Sequence, residues 1–298
     1  MNRTRSRLLA MCAGALTAMG VTAVVSTGQP QEDPAPVARA ATTTALPASG
    51  VELKAAPEEV TVTPEPTPAP RTLPELRQGP VDLAGLAPGV RRGVAVFDLG
   101  TGEELFTDLP DEPFPAASVI KLLIALDALE NGVGSAESVT RMLATSSDGI
   151  ANRLWRTSIP RDWAARIGLT GLVPPPDPYK WGDALMTARD VVAVYRYVLD
   201  SPWSRLVVEA LEGATPVGED GVDQTFGIPD ALGDHRWGVK QGWACCYDGS
   251  RALNTTGIVD GRYVVAVLTR QPSSTGYAEA GRRVTSLVAE LAPLFGAV

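Results

Sequence analysis

The sequence predicts an α+β fold, with one antiparallel five-stranded sheet flanked by helices and interrupted by an all-helical insert. Three observations lead to this prediction. Two strand-like runs lie near residues 93–108, and three more follow residue 230. Residues 136–200 between them follow helical patterns, and a last helix is indicated by apolar residues at a 3.6-residue period from Ala280 to Leu291. Strands on both sides of a helical segment are expected to pair in a single sheet.

Three zones of different composition divide the 298 residues. Residues 1–28 start with a basic stretch and continue uncharged and apolar, which indicates a secretory signal peptide or an uncleaved N-terminal membrane anchor. Cys12 follows Met11 inside this run, which makes a poor lipid-attachment signal. Residues 29–80 hold 11 of the 25 prolines and predict an extended, disordered linker. Residues 81–298 are predicted to fold as one domain, and the protein is expected to be secreted or held at the cell surface.

Composition excludes several classes of function. The net charge of −8, without a lysine-rich cluster, argues against a nucleic-acid partner. Cys245 and Cys246 are adjacent and His235 is the single histidine, so the usual ligand spacing of a metal site is missing, and neither metal nor cofactor is expected. The two cysteines form either a vicinal disulfide or a pair of buried thiols. A monomer is expected.

Local signals place the elements. Strands are predicted over residues 93–99, 104–108, 236–240, 252–259 and 262–269. The third of these is expected to end in a glycine turn after Lys240. Helices are predicted to begin at Ser118, near Ser138 and at Thr187, where Asp190 three residues on suggests a capping box. Three consecutive prolines from residue 174 indicate an irregular loop.

Ser118 and Lys121 are the first candidates for chemistry. They lie three residues apart at the start of an apolar run, so a helix places both on one face. Burial disfavours a charged lysine, and a neutral lysine can serve as base for a neighbouring hydroxyl. The alternative is a core helix whose lysine extends to the surface. No Gly-x-Ser-x-Gly motif occurs and His235 lies in a predicted turn, so a serine hydrolase of this sequence needs lysine as its base.

Two further stretches follow in order. Ser146-Ser147-Asp148 leads towards Asn152, and Lys240-Gln241-Gly242 enters a strand near the end of the chain. Without a catalytic role, the first is a helix boundary with capping serines and the second a surface turn.

With these stretches, the folded part resembles the penicillin-recognising serine hydrolases, closest to class A β-lactamases. The motifs of that family are Ser-x-x-Lys, Ser-Asp-Asn and Lys-Thr-Gly, of which the first matches fully and the others in part. The likeness extends from about Gly93 to Thr269.

The resemblance implies a role for each matching residue. Ser118 is the nucleophile, Lys121 helps to deprotonate it, and Ser146 passes a proton to the leaving nitrogen. Lys240 holds Ser146 and the substrate carboxylate, and the backbone N–H groups of Ser118 and Trp243 bind the oxyanion. The implied substrate-binding residues are Asp148, Asn152, Lys240, Gln241, Gly242 and Trp243.

The sequence departs from the family in three places. Asp148 stands where the family has asparagine, and it can instead pair with Lys121 or Lys240. Gln241 replaces threonine or serine. No glutamate lies between Asn152 and Thr187 to activate the hydrolytic water, and Asp183 is a shorter substitute.

These features predict an exported active-site-serine hydrolase that is acylated at Ser118 by β-lactams or D-Ala-D-Ala-type peptides and released slowly. Two alternatives stay open. One is a non-catalytic module that binds the cell wall or a partner, and the other is an esterase on the same scaffold.

Overall fold

The computed structural model describes residues 81–296, so the predicted signal segment and linker lie outside it. Its strands are β1 Arg91–Asp98, β2 Glu103–Asp108, β3 Phe114–Pro115, β4 Leu185–Met186, β5 Trp237–Tyr247, β6 Ser250–Val259 and β7 Tyr263–Pro272. Its α-helices are α1 Lys121–Glu130, α2 Ala136–Thr145, α3 Asp148–Leu154, α4 Ile159–Ile167, α5 Ala188–Asp200, α6 Ser204–Glu212, α7 Ile228–Ala231 and α8 Tyr277–Leu291. Short 3₁₀ turns cover Ala117–Ile120, Trp181–Asp183 and Ala292–Leu294.

Five strands form one antiparallel sheet in the order β2-β1-β7-β6-β5, which confirms the predicted α+β architecture. The N-terminal hairpin joins the three C-terminal strands because β1 pairs with β7 along its whole length. The helices α2 to α6 lie between these two groups in the chain, as the sequence predicts. β3 and β4 form a separate two-stranded ladder, which sequence patterns do not reveal.

Both faces of the sheet are buried. Strand β7 shows this, because its successive residues are apolar and pack alternately into the cores on the two sides. Val264, Ala266 and Leu268 point into the core that contains α1 and the helical insert. Val265 and Val267 point to the opposite core, which α8 closes. Each residue of a strand faces the side opposite to its neighbour, so a continuous apolar run suits a strand covered on both sides.

Helix α1 lies at the centre of the molecule. Its residues from Lys121 to Leu129 are all buried, which agrees with the apolar run read from the sequence. Asp127 is among them and accepts hydrogen bonds from Arg156 Nε at 2.8 Å and from Trp163 Nε1 at 3.1 Å. These donors satisfy a carboxylate that burial would otherwise penalise. No helix in residues 81–296 is long and apolar enough to cross a membrane.

The structure corrects three local predictions. Strand β5 does not end at Lys240 but continues through Gly242 to Tyr247, since the turn that closes it is Asp248-Gly249. The helix expected at Ser118 opens as a 3₁₀ turn, and α1 begins at Lys121. Helix α2 is capped by Ser135 rather than starting near Ser138. The capping box at Thr187 is confirmed.

Candidate active site

The turn that carries Ser118 is fixed from several sides. Ala117 has φ 47°, a left-handed conformation that is strained for a residue with a side chain. The buried side chain of Asn254 on β6 donates to the carbonyls of Pro115 and Ala116, at 2.8 and 3.3 Å, and its oxygen accepts from Thr269 N–H at 3.0 Å. The sheet therefore holds the backbone just before the nucleophile, and the strain at Ala117 persists because its surroundings enforce it.

Lys121 Nζ lies 2.7 Å from Ser118 Oγ, as the spacing of the first motif predicts. The same ammonium group donates to Ser146 O at 2.7 Å and to Asp148 Oδ1 at 2.6 Å, and it lies 4.7 Å from the centre of the Trp181 ring. The side chain of Lys121 is fully buried. Burial lowers the pKa of Lys121, while the charge and hydrogen bond of Asp148 oppose that effect.

Ser146 joins the two lysines of the site. It adopts a left-handed conformation with φ 54° at the end of α2, and its Oγ lies 3.2 Å from Lys121 Nζ and 3.0 Å from Lys240 Nζ. Lys240 is fully buried on β5 and also donates to Gln241 O at 2.9 Å. Burial and the nearby charge of Lys121 hold the pKa of Lys240 well below its usual range. Two amines joined by a hydroxyl form a continuous path for protons.

Above this cluster lies an open groove of about 420 Å³, here called the nucleophile groove. Its walls come from the turn of Ser118, helix α3, the segment around Trp181, the loop at Asp220, strand β5 and the start of α8. The residues are Ala117, Ser118, Asp148, Asn152, Tyr179, Lys180, Trp181, Gly182, Asp183, Asp220, Trp243, Ala244, Cys245 and Tyr277. Three of these residues are carboxylates and one is a lysine. The groove is therefore acidic, although two further ammonium groups lie buried beneath it.

Two tryptophans shape the groove through polar contacts. Trp181 Nε1 donates to Asn152 Oδ1 at 2.7 Å, and Trp243 Nε1 donates to Asp220 Oδ2 at 2.7 Å. Sequence reasoning names Asn152 and Trp243 but misses Trp181 and Asp220. Neither of the missed residues belongs to a motif, and only the fold brings them to Ser118.

The structure places three predicted substrate-binding residues, Lys240, Gln241 and Gly242, outside the groove wall, and Lys240 lies fully buried beneath it. The side chain of Gln241 is 1% exposed, and its Nε2 donates to the carbonyl of Gln224 at 3.0 Å. Gln241 therefore stabilises the segment beside β5, and its side chain does not line the groove where the resemblance places it. Gly242 packs against the nucleophile turn, where an added Cβ would lie 2.9 Å from both Ala116 O and Val119 Cγ2.

Asp148 takes the second of its two predicted roles. It is 62% exposed and pairs with Lys121 through its Oδ1. Replacing the asparagine of the family motif with aspartate thus changes a side chain that could donate to a substrate into a counter-ion of the candidate base.

The remaining sequence candidates are also placed. Cys245 and Cys246 form a vicinal disulfide at the exposed end of β5, so the alternative of two buried thiols is wrong. His235 Nδ1 lies 2.7 Å from Asp260 Oδ2 and is not among the residues of the groove. Among residues 81–296, no three His, Cys, Asp or Glu side chains are grouped so that they could hold a metal ion.

No family model matches this sequence. Curated relatives do: a protein named "Putative lipoprotein LppW" from Mycobacterium tuberculosis, and its namesake from Mycobacterium bovis, are each 32% identical over 228 residues, which cover 69% of this chain and 70% of the relative. The chain belongs to the LppW family.

Solved structures show the fold of this LppW-family chain to be that of the class A β-lactamases and penicillin-recognising proteins. A class A β-lactamase from Bacteroides cellulosilyticus superposes with a TM-score of 0.55 at 16% identity, over 71% of this chain and 94% of the other. PBP-A superposes with a TM-score of 0.54 at 20% identity, and the match covers 71% of this chain and 92% of PBP-A. A variant of the class A β-lactamase from the last common ancestor of Gram-negative bacteria superposes with a TM-score of 0.54 at 21% sequence identity. This match covers 69% of the present chain and 93% of the other.

In this LppW-family chain, the segment between Asn152 and Thr187 passes along the groove but holds no glutamate. Asp183 is the carboxylate of that segment that lines the groove, and it is half-buried. Gly182 beside it packs on the nucleophile turn, since an added Cβ would lie 3.8 Å from Ala117 Cα. The segment is therefore close to the nucleophile turn, and one of its carboxylates, Asp183, lies on the groove wall.

Proposed function

We propose that this protein is an exported active-site-serine hydrolase that forms an acyl-enzyme at Ser118 with β-lactams or D-Ala-D-Ala-type peptides. The observation that carries the proposal is the 2.7 Å contact between Lys121 Nζ and Ser118 Oγ in a site where the lysine is fully buried. A buried amine with a lowered pKa can take the proton of a neighbouring hydroxyl. The β-lactamase fold around this pair makes acyl transfer the reaction class that fits best.

Acylation proceeds through groups that are already in contact. Neutral Lys121 accepts the proton of Ser118 Oγ, and the oxygen attacks the carbonyl carbon of the substrate. The N–H groups of Ser118 and Trp243 stabilise the oxyanion. Ser146 passes its proton to the leaving nitrogen, and the bonds of Ser146 Oγ to both lysines allow that proton to be replaced.

Asp148 opposes the first step. Its carboxylate favours the charged form of Lys121, and a charged lysine cannot accept a proton. A substrate that enters the groove and displaces Asp148 from Nζ removes this effect, because the partly exposed carboxylate can turn into solvent. Acylation is therefore expected to depend on whether the substrate competes for the space of Asp148.

Deacylation is expected to be slow. The hydrolytic water needs a base near the ester of Ser118, and the adjoining segment offers only Asp183 on the groove wall. Aspartate is one methylene shorter than glutamate, so it reaches less far towards a water on the acyl carbon. A long-lived acyl-enzyme follows from this arrangement. A solved complex of a PBP-A mutant, whose fold is similar, is an acyl-enzyme with penicillin G.

A fluorescent penicillin tests the proposal directly. The full chain is incubated with the probe, digested and analysed by mass spectrometry, and the adduct is expected on the peptide that contains Ser118. Ser118→Ala should lose the label, whereas Ser138→Ala, a half-buried serine on α2 outside the groove, should keep it. Absence of any adduct at Ser118 with several β-lactams and with activated esters would overturn the proposal. Labelling by esters alone would make the protein an esterase on this scaffold.

A second candidate function is a binding module without catalysis. The contact between Lys121 and Asp148 favours it, because a permanently charged lysine leaves Ser118 without a base. In that case peptidoglycan pull-down is unchanged by Ser118→Ala, and no β-lactam labels the wild type. Pull-down that requires Ser118, or any stable adduct, argues for the enzyme instead.

Export and surface attachment are part of the proposal. The basic and apolar start of the sequence supports export, and the curated relatives are named lipoproteins. Cys12 is the one cysteine near the N-terminus that could carry a lipid. Fractionation of cells fed labelled palmitate distinguishes the modes: label lost in Cys12→Ser shows a lipoprotein, and unlabelled protein in the medium shows a cleaved signal peptide.

A further inference from the structure

A second cavity of about 440 Å³ adjoins the nucleophile groove, and no step of acyl transfer described above uses it. It lies between the loop after Asp220, strand β6 and the start of α8, and is called here the side cavity. Its walls are Gly221, Val222, Asp223, Phe226, Asp230, Leu253, Tyr277, Ala278, Gly281 and Arg282. Tyr277 lines both this cavity and the groove, and the guanidinium of Arg251 lies 4.1 Å from the centre of its ring.

The inner wall of the side cavity is apolar. Phe226 is 5% exposed and Leu253 is 1% exposed, and both belong to the core that α8 closes. Gly281 leaves space between them, because a Cβ at this position would lie 3.1 Å from Phe226 Cβ. A wall of this kind favours methylene groups over polar ones.

The side cavity is close to the reacting atoms of the proposed enzyme. Leu253 on β6 lies directly opposite Trp243 on β5 in the strand register. Paired strands are about 4.8 Å apart, so the inner wall is one strand away from the N–H group assigned to the oxyanion. A substrate bonded to Ser118 can therefore place a short arm in the cavity.

The mouth of the cavity is negatively charged. Asp223 and Asp230 are both exposed there, and no ion pair within residues 81–296 involves either carboxylate. Asp223 Oδ1 accepts from Thr225 N–H at 2.8 Å, which fixes its position. Arg282 is the cation on the wall, and its Nη2 lies 2.5 Å from Glu279 Oε2. The apolar inner wall is complementary to an aliphatic chain, and the carboxylates at the mouth are complementary to an ammonium group at the end of that chain.

We propose that the side cavity is a subsite for an arm of the substrate that consists of a short aliphatic chain ending in a primary ammonium group. The methylene groups lie against Phe226 and Leu253, and the ammonium group lies between Asp223 and Asp230. The inference rests on the proposed function in one respect, since the arm belongs to a compound that acylates Ser118. Binding of the arm itself does not require acylation.

Three probes of equal chain length test the subsite: hexylamine, hexanol and hexanoate. Their affinities for the full chain are measured by saturation-transfer NMR titration. We expect hexylamine to bind at least about tenfold more tightly than hexanol, a difference of ~1.4 kcal/mol, and hexanoate to bind weakest. The double variant Asp223→Asn/Asp230→Asn should bind hexylamine and hexanol equally. The control Asp177→Asn/Asp234→Asn makes the same charge change at two exposed residues outside the cavity and should keep the preference.

A steric variant checks that the probes bind in the cavity itself. Ala278 is exposed at its mouth on α8, so Ala278→Phe narrows the entrance without disturbing the core. It should weaken both hexylamine and hexanol. Equal affinities of the three probes for the wild type, or a preference for hexylamine that survives the double variant, overturn the subsite.

Labelling by the fluorescent penicillin separates this inference from the proposed function. An adduct at Ser118 with no preference among the probes overturns the subsite and leaves the hydrolase standing. A preference for hexylamine with no adduct from any β-lactam or ester supports amine binding in the cavity and overturns the hydrolase. Both results together support a serine hydrolase whose substrates carry an amine.

Discussion

The region beneath Ser118 and the groove above it differ in burial and in charge. Beneath, Lys121, Ser146 and Lys240 are buried and connected to one another by hydrogen bonds. Above, Asp148 and Asp183 are at least partly exposed and belong to a wall in which acidic residues outnumber the single lysine. The buried serine and lysine side chains thus keep the arrangement that the proposed acylation requires, whereas Asp148 and the segment around Asp183 depart from the family pattern.

Removal of the candidate base should give the largest effect. Lys121→Ala is expected to slow acylation of Ser118 by about 10³-fold, because general-base catalysis contributes roughly 10²–10⁴ and no other described amine touches Ser118 Oγ. The rate of labelling by the fluorescent penicillin measures it. Lys180→Ala, an exposed lysine of the groove wall, is the matched control and should change the rate little. Equal rates in the two variants would mean that Lys121 is structural.

The close approach of β5 to the nucleophile turn predicts the next effect. Gly242→Ala places a methyl group 2.9 Å from Ala116 O, and overpacking of this kind costs about 1–3 kcal/mol. Chemical denaturation should show that loss, and the acylation rate should fall with it. Gln241→Thr on the same strand restores the residue type of the family motif. Its stability should also fall, because the buried carbonyl of Gln224 loses its donor and an unsatisfied buried acceptor costs about 1–3 kcal/mol.

The pH dependence of acylation tests the role of Asp148. Asp148 raises the pKa of Lys121, so acylation by neutral Lys121 is weak at low pH and rises as pH approaches that pKa. Asp148→Asn removes the negative charge, lowers the pKa of Lys121, and should move the rising limb of the profile to lower pH. The gain at neutral pH is expected to be about tenfold, which corresponds to one pKa unit. A limb that stays in place would show that Asp148 does not control this proton.

The smallest effect concerns release of the acyl group. Asp183→Glu extends the only carboxylate that the segment after Asn152 offers to the groove, and should shorten the lifetime of the acyl-enzyme by about threefold to tenfold, within the range of a partly positioned base. The lifetime is read from loss of fluorescence after excess probe is removed. Asp177→Glu, an exposed carboxylate of the same segment outside the groove wall, is the control. An unchanged lifetime places the hydrolytic water elsewhere.

How much the sequence predicts depends on whether a feature is local. The Ser118–Lys121 contact follows from helical spacing, and the sheet follows from the strand patterns of β1 and β7. Gln241 shows the limit, since its place in the third motif does not reveal that its side chain bonds the carbonyl of Gln224. That contact depends on how a distant loop packs against β5.

The groove wall also contains residues whose position could not be predicted from local sequence patterns. Asp220 and Trp181 belong to no motif, and they come close to Ser118 only because the loop between α6 and α7 and the segment before α5 meet at the groove. The side cavity could not be read from the sequence either, because its walls come from three separate elements. Local patterns thus predict the nucleophile and its base, while tertiary packing decides what surrounds them.

Asn254 links the stability of the nucleophile turn to the unfolding of the central sheet. Its side chain ties strand β6 to the carbonyls before the nucleophile and to an amide of β7, all within the buried sheet. Protection of a backbone amide against hydrogen exchange lasts until its surroundings unfold. The amides of the nucleophile turn should therefore exchange only with the central strands, in a single slow phase, whereas the amides around Asp183 exchange much earlier. Such a protein loses its nucleophile geometry at the moment the whole sheet unfolds and not before.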